Sequence, residues 1–198
     1  MNIFQAANGG ATFLVVGAVG FGITGATKNI DISIFHYLKD SPSILLLMIF
    51  ILLFKIKTAF DDHKHFGDAY QHKTFFRYIG FILAIFSWLL MAQAGWSIGQ
   101  PIRSAEWLIY SILVSTLWIF VHLFEIWVDK GRPSTEAIVK HLRQKWVLIN
   151  IVYISCLLVF LGYLAPVVNA ESVLPLCVMM VFFAFDFFTS DSFDNLDE

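Results

Sequence analysis

The chain has 198 residues, 58% of them hydrophobic and 14% charged, with a mean hydropathy of +0.73 and a net charge of −2 at pH 7. That balance lies outside the range of a water-soluble domain and leaves no room for a large one. It predicts an all-α, polytopic transmembrane bundle with short loops and six spans, or five if the first run fails to cross.

The start, Met1-Asn2-Ile3-Phe4, lacks the positive region of a secretory signal, so the first span is expected to stay in the mature protein. That span, 11–27, is rich in small residues. Gly20 to Gly25 spells GxGxxG, but no strand precedes it and it lies in an apolar run, which argues against a nucleotide fold. Ala18, Gly22 and Ala26 recur every four residues on one face, the pattern of close helix packing within the bundle or with a second copy.

Lys28 to Asp40 reads as a mixed-charge connector along the interface. Pro42 suits the first turn of the second span, 43–60. Its apolar part, Ile44 to Phe54, is short, so Lys55 and Lys57 are expected to reach the headgroups or the helix to continue into water. A polar connector follows with His63, His65 and His72 among Asp61, Asp62 and Asp68. These are metal-ligand types without a metal-ligand spacing, and no metal or cofactor is expected. Phe66 and Tyr70 there suit a docking surface for a protein partner.

The third and fourth spans, 75–98 and 106–128, form a hairpin about a polar turn, Gly99 to Arg103. Within it, Gln93 is expected to hold a neighbouring helix by a hydrogen bond. A capped helix carrying Glu136 and Lys140 then flows into the fifth span, 146–164. The sixth, 173–188, leads to an acidic tail, 191–198. Cys156 and Cys177 both sit in apolar runs far from CxxC spacing and read as packing residues.

Ten of the 13 Lys and Arg flank the connectors at 55–77 and 130–145, which parity places on one side; only Lys28, Lys39 and Arg103 face the other. The basic side is expected to be cytoplasmic, with both termini there, in a bacterial inner membrane. Arg77 and Glu125 are each 24 residues from Pro101 and so lie at one depth. With Lys55, Asn150 and Asp186 they make a polar layer near the inner interface, read as an ion-pair set that fixes helix register or as a gating path. His122 sits one turn deeper, on the same helix face as Glu125. It suits a packing histidine or a proton relay better than a metal site, because no other span supplies deep carboxylates. In the tail, Phe193 and Leu196 are spaced to anchor a short helix in a groove.

No nucleophile with a base, phosphate loop or nucleic-acid motif is present in the sequence. The expectation is a non-enzymatic membrane scaffold or sensor that self-associates in the lipid bilayer. Lys140, Arg143 and the acidic tail would then meet a soluble cytoplasmic partner, a layout shared by small multi-pass proteins of bacterial stress or phage-defence systems. The alternative is an oligomeric ion channel or small-solute transporter built on the polar layer.

Overall fold

The structure is a computed structural model that describes residues 3–28, 33–68, 75–128, 133–162 and 173–190. Every element among them is an α-helix: α1 (Ile3–Lys28), α2 (Ile34–Asp40), α3 (Pro42–Asp68), α4 (Phe75–Trp96), α5 (Pro101–Val128), α6 (Pro133–Phe160) and α7 (Leu174–Ser190). Four stretches are long and apolar enough to cross a membrane: Ala6–Lys28, Pro42–Ala59, Tyr78–Trp96 and Pro101–Val121. Lys145–Phe160 and Leu174–Phe188 are apolar but shorter. The class is therefore an integral, multi-pass helical membrane protein. Six spans were expected, and α6 and α7 fall short by length alone.

The helix ends follow local chemistry. Pro101 opens α5 five residues before the expected start of that span at 106, because its fixed φ suits a first turn and its missing N–H would be unsatisfied there anyway. Gly162, at φ 79°, ends α6 in the left-handed conformation that only glycine adopts cheaply. This stops the helix at Phe160, short of the expected Leu164. The stretch read as a connector holds a helix of its own, α2: the Ser33 hydroxyl oxygen accepts from the His36 amide at 3.4 Å and caps its start. α3 runs unbroken to Asp68, so the second apolar run does continue beyond its lysines.

The helices close a ring in the order α1, α4, α5, α6, α7, with α3 between α7 and α1 and reaching across to α4 and α5. The α4/α5 hairpin is the most tightly keyed pair. Ser87 Oγ donates to the Ser111 carbonyl at 3.0 Å, and Ser111 Oγ donates back to that of Ser87 at 2.8 Å. Near the turn, Ser104 Oγ donates to the Ala94 carbonyl at 2.9 Å. Such small hydroxyls let backbones approach and satisfy each other where water is absent.

α1 meets α4 through glycines. A Cβ on Gly22 would strike the Gly95 carbonyl oxygen and lie 2.7 Å from that of Trp96, and one on Gly95 would lie 2.8 Å from Val19 Cγ2. Ala18 and Ala26 share this inward side, so the Ala18, Gly22 and Ala26 face packs inside the bundle. The outward face of α1 carries Gly10, Gly17 and Gly20, which meet nothing within 4 Å, and Phe13, which is 82% exposed. Gln93, expected to bind a neighbouring helix, lies in the last turn of α4 and is exposed, since the helix ends at Trp96.

The core is aromatic where α3, α6 and α7 meet. Phe50 makes edge contacts with Tyr153 (centroids 5.2 Å apart) and Phe183 (5.7 Å) and stacks on Phe54 at 5.3 Å. These edge-to-face pairs fix the rings in place beyond what their buried area alone would do.

Candidate functional site

Two lysines on α3 organise the site. Residues 55 and 57 are two apart on a helix, roughly 200° around it, so both cannot snorkel along one face. Both are inside the bundle: Lys55 is 1% exposed and Lys57 7%. The expectation that they reach the headgroups is corrected here, and the reason is that α1 and α7 bring polar partners to them.

Lys55 points toward α1 and α4. Its Nζ donates to Asn8 Oδ1 at 2.8 Å and lies 4.4 Å from the centre of the Trp88 ring. Asn8 Nδ2 in turn donates to the Ala59 carbonyl at 2.8 Å, so one amide links α1 to both the side chain and the backbone of α3. Lys57 points toward α6 and α7. Its Nζ lies 3.1 Å from Asp186 Oδ2 and 5.6 Å from the Trp146 ring centre. Asp186 is 2% exposed, so this is a buried ion pair. Removing two charges from water costs several kcal/mol per ion, which makes such a pair in an apolar bundle a marker of a structural lock or of function.

A small cavity lies against that pair, with a volume of about 50 Å³, room for a few water molecules. α3 contributes Phe54, Lys57 and Thr58; α4 contributes Ala84, Ser87 and Trp88; α5 contributes Ser115, Trp118 and Ile119. α6 adds Trp146, Ile149 and Asn150, and α7 adds Asp186. Asn150 Nδ2 donates to Thr116 Oγ1 at 3.0 Å, and that hydroxyl donates to the Ile112 carbonyl at 2.7 Å, which orients the amide. Beside the cavity, Tyr153 is fully buried and its hydroxyl has no hydrogen-bond partner among the described residues.

Of the polar layer expected from the sequence, Asn150 and Asp186 line one cavity, and Lys55 is not among its lining residues but faces the Trp88 ring, which is. Asp186 pairs with Lys57 rather than with Lys55. Arg77 lies in the first turn of α4, and His122 and Glu125 near the end of α5, at the same end of the hairpin; their side chains lie outside the described residues. So do those of Phe66 on α3 and of Lys140 and Arg143 on α6, while Tyr70, Phe193 and Leu196 lie outside the described residues altogether.

Sequence reasoning missed Lys57, Asn8 and the three indoles. The signal for Lys57 was its spacing from Lys55. Asn8 had none, because it precedes the apolar run in which the first span was expected to start.

Asn8, Lys57, Trp146 and Asp186 meet at one end of the bundle, which fixes the relative direction of α1, α3, α6 and α7. The end of α3, the start of α4, the end of α5 and the start of α6, which bracket the two basic connectors in sequence, lie at that same end. No protein-family model, curated protein or solved structure matches the chain.

Proposed function

We propose that the chain is a non-enzymatic membrane sensor and scaffold that crosses a bacterial inner membrane six times, self-associates, and docks a soluble cytoplasmic protein in a stress or phage-defence system. The observation that carries the reading is the buried Lys57–Asp186 pair. It ties α3 to α7 where each leaves the apolar layer. Beyond Lys57, α3 runs on through Phe66 to Asp68, with Tyr70 following in sequence; beyond Asp186, α7 ends at Ser190 and the acidic sequence bearing Phe193 and Leu196 follows. An occupant of the cavity that loosens the pair therefore changes how these two segments are presented, a two-state element biased from inside the membrane.

Two features support the assembly around it. The open glycine face of α1 admits a second backbone at close range. Lys140 and Arg143 belong to the first half of α6, which lies at the end of the bundle where α7 ends, and the acidic tail follows α7 in sequence, so a docking surface of both signs is part of this reading.

The test expresses the full chain, tagged, together with its neighbouring genes. Deleting residues 191–198, or introducing Lys140→Glu with Arg143→Glu, should abolish a co-purifying soluble protein while the bundle keeps its elution volume. If the unaltered chain retains no soluble protein, the scaffold reading fails.

The cavity, with Lys57, Asn150 and Asp186 in its wall, also favours a second reading, an oligomeric channel or small-solute transporter. It requires flux in liposomes that is lost in Asp186→Asn, Glu125→Gln or His122→Ala. Silent liposomes rule it out.

A further inference from the structure

We propose that Asp186 exchanges partners between α3 and α6, leaving the Lys57 ammonium to accept a hydrogen bond from the Tyr153 hydroxyl, so that α7 has two docked positions. The exchange would be the moving part of the sensor, and only its consequence for a soluble partner rests on that reading.

Where α3, α6 and α7 meet, they share a layer of rings: Phe50 and Phe54 from α3, Tyr153 from α6 and Phe183 from α7. Three of the four are phenylalanines. Tyr153 alone carries a hydroxyl into this layer, where it is fully buried and has no hydrogen-bond partner among the described residues. A phenylalanine would keep the packing without desolvating a polar group, so the observed arrangement holds a donor that only another arrangement uses.

Asp186 is the acceptor within its reach. Asn150 lines the same cavity as Asp186, and Tyr153 follows Asn150 by three residues, one turn along the same face of α6. Long side chains on a helix lean toward its N-terminus, which for α6 is the end where Trp146, Lys57 and Asp186 meet. The charge of Asp186 acts on the Tyr153 hydroxyl. A carboxylate offers about four acceptor sites on its two oxygens, so accepting from Tyr153 requires nothing of its other contacts.

The packing decides which element moves. The Tyr153 ring is held edge-on by Phe50 at 5.2 Å and Phe54 at 5.9 Å, which ties it to α3. α7, at 17 residues, leans mainly on α6 and α3, so it is the helix that turns. The Lys57 ammonium it leaves lies 5.6 Å from the Trp146 ring centre. It also lines the cavity of about 50 Å³ with Thr58, Ser115 and Asn150, polar groups with room for a few water molecules. A hydrated ammonium over an indole is tolerated where a dry, lone one is not. The end of α7 thereby shifts from α3 toward α6, the helix whose first half bears Lys140 and Arg143.

The test uses the full chain in detergent, grown with ring-fluorinated tyrosine, and reads fluorine NMR together with the melting temperature. Tyr153→Phe assigns the Tyr153 resonance by its loss. The expected spectrum of the unaltered chain has two Tyr153 signals in exchange. Lys57→Met should leave only the minor signal, and Asp186→Leu only the major one. Lys57→Arg holds a carboxylate with two parallel N–H donors and should suppress the minor signal, which keeps the test open if Lys57→Met fails to fold.

The same exchange reverses the sign of one substitution. Tyr153→Phe should leave the melting temperature unchanged or higher in the unaltered chain, and lower it by at least about 3 °C in Lys57→Met, where Tyr153 holds Asp186. A fall in the unaltered chain would mean that both bonds coexist, and an equal effect in both backgrounds that Tyr153 never takes over; either overturns the proposal. So does one Tyr153 signal at one position in the unaltered, Lys57→Arg and Asp186→Leu chains. Loss of the soluble partner with exchange intact fails only the scaffold reading, and partner capture by a chain without exchange fails only this one.

Discussion

At the residue scale, the buried pair sets the sharpest energetic contrast. Removing either partner of a buried ion pair leaves an uncompensated charge, so Lys57→Met or Asp186→Leu alone should destabilise the bundle by about 3–5 kcal/mol. Replacing both by apolar residues of similar volume removes the charge and its desolvation together. The double variant should therefore recover most of the loss, which chemical denaturation in detergent, followed by circular dichroism, would measure. A double variant no more stable than the singles would mean that the pair does more than hold helices. Tyr153 behaves in the opposite way. Its buried hydroxyl lacks a partner among the described residues while its ring packs on Phe50 and Phe54, so Tyr153→Phe should be neutral or stabilise by about 1–3 kcal/mol in the same assay. These residues differ in how readable they were. Asp186 and Asn150 stood out as polar residues in apolar runs, whereas Lys57 was masked by the general rule that lysines near helix ends snorkel. That rule fails here because Asp186, 129 positions away in the chain, folds back against α3. Pairing across such a distance has no local signature.

At the element scale, the interlock of α1 with α4 depends on absent side chains. Gly22→Ala would drive a methyl into backbone oxygens of Gly95 and Trp96, which cannot rotate away as a side-chain tip can. Overpacking of this kind costs about 1–3 kcal/mol, so the melting temperature should fall. Gly17→Ala, on the open face, has nothing to strike and gains helix propensity of up to about 1 kcal/mol, so the monomer should be unchanged or more stable. If the open face seats a second copy, that substitution lowers the oligomeric mass on light scattering without lowering the melting temperature, and this separates the two faces of one helix. The inward face was legible, since small residues at four-residue spacing imply close packing whatever the partner. The hairpin was legible too, from two apolar runs of spanning length about a proline-containing turn. α2 was not, because at seven residues it has no amphipathic period to detect and rests on one serine cap. The ends of α6 depend on the conformation of Gly162, which a sequence shows only as one more glycine.

For the whole molecule, the ring order decides which chain ends can communicate. α3 touches α1, α2, α4, α5 and α7, so it is the element through which a change at the cavity reaches the most neighbours. Asn8 fixes the start of α1 beside Ala59, and Lys57 fixes the end of α7, so the start of α1 and the end of α7 both sit beside the same part of α3. The turn between α4 and α5 lies at the opposite end, where Gly99 packs on Ala26. This geometry makes a prediction that does not depend on whether α6 and α7 are long enough to span unaided. Helices shorter than the hydrocarbon layer still cross when the bilayer thins or flanking residues snorkel, at a cost of fractions of a kcal/mol per Å. In a cysteine-free background, obtained with Cys156→Ala and Cys177→Ala, a single cysteine at Gln100 should react with a membrane-impermeant maleimide in intact cells. One at Asp197 should react only after lysis. A basic side that faces the cytoplasm requires both results. Labelling of both positions in intact cells would mean that an even number of crossings, instead of three, separates them. The Lys57–Asp186 pair would then have to form in a bundle where α7 does not cross, at its surface instead of inside the apolar layer.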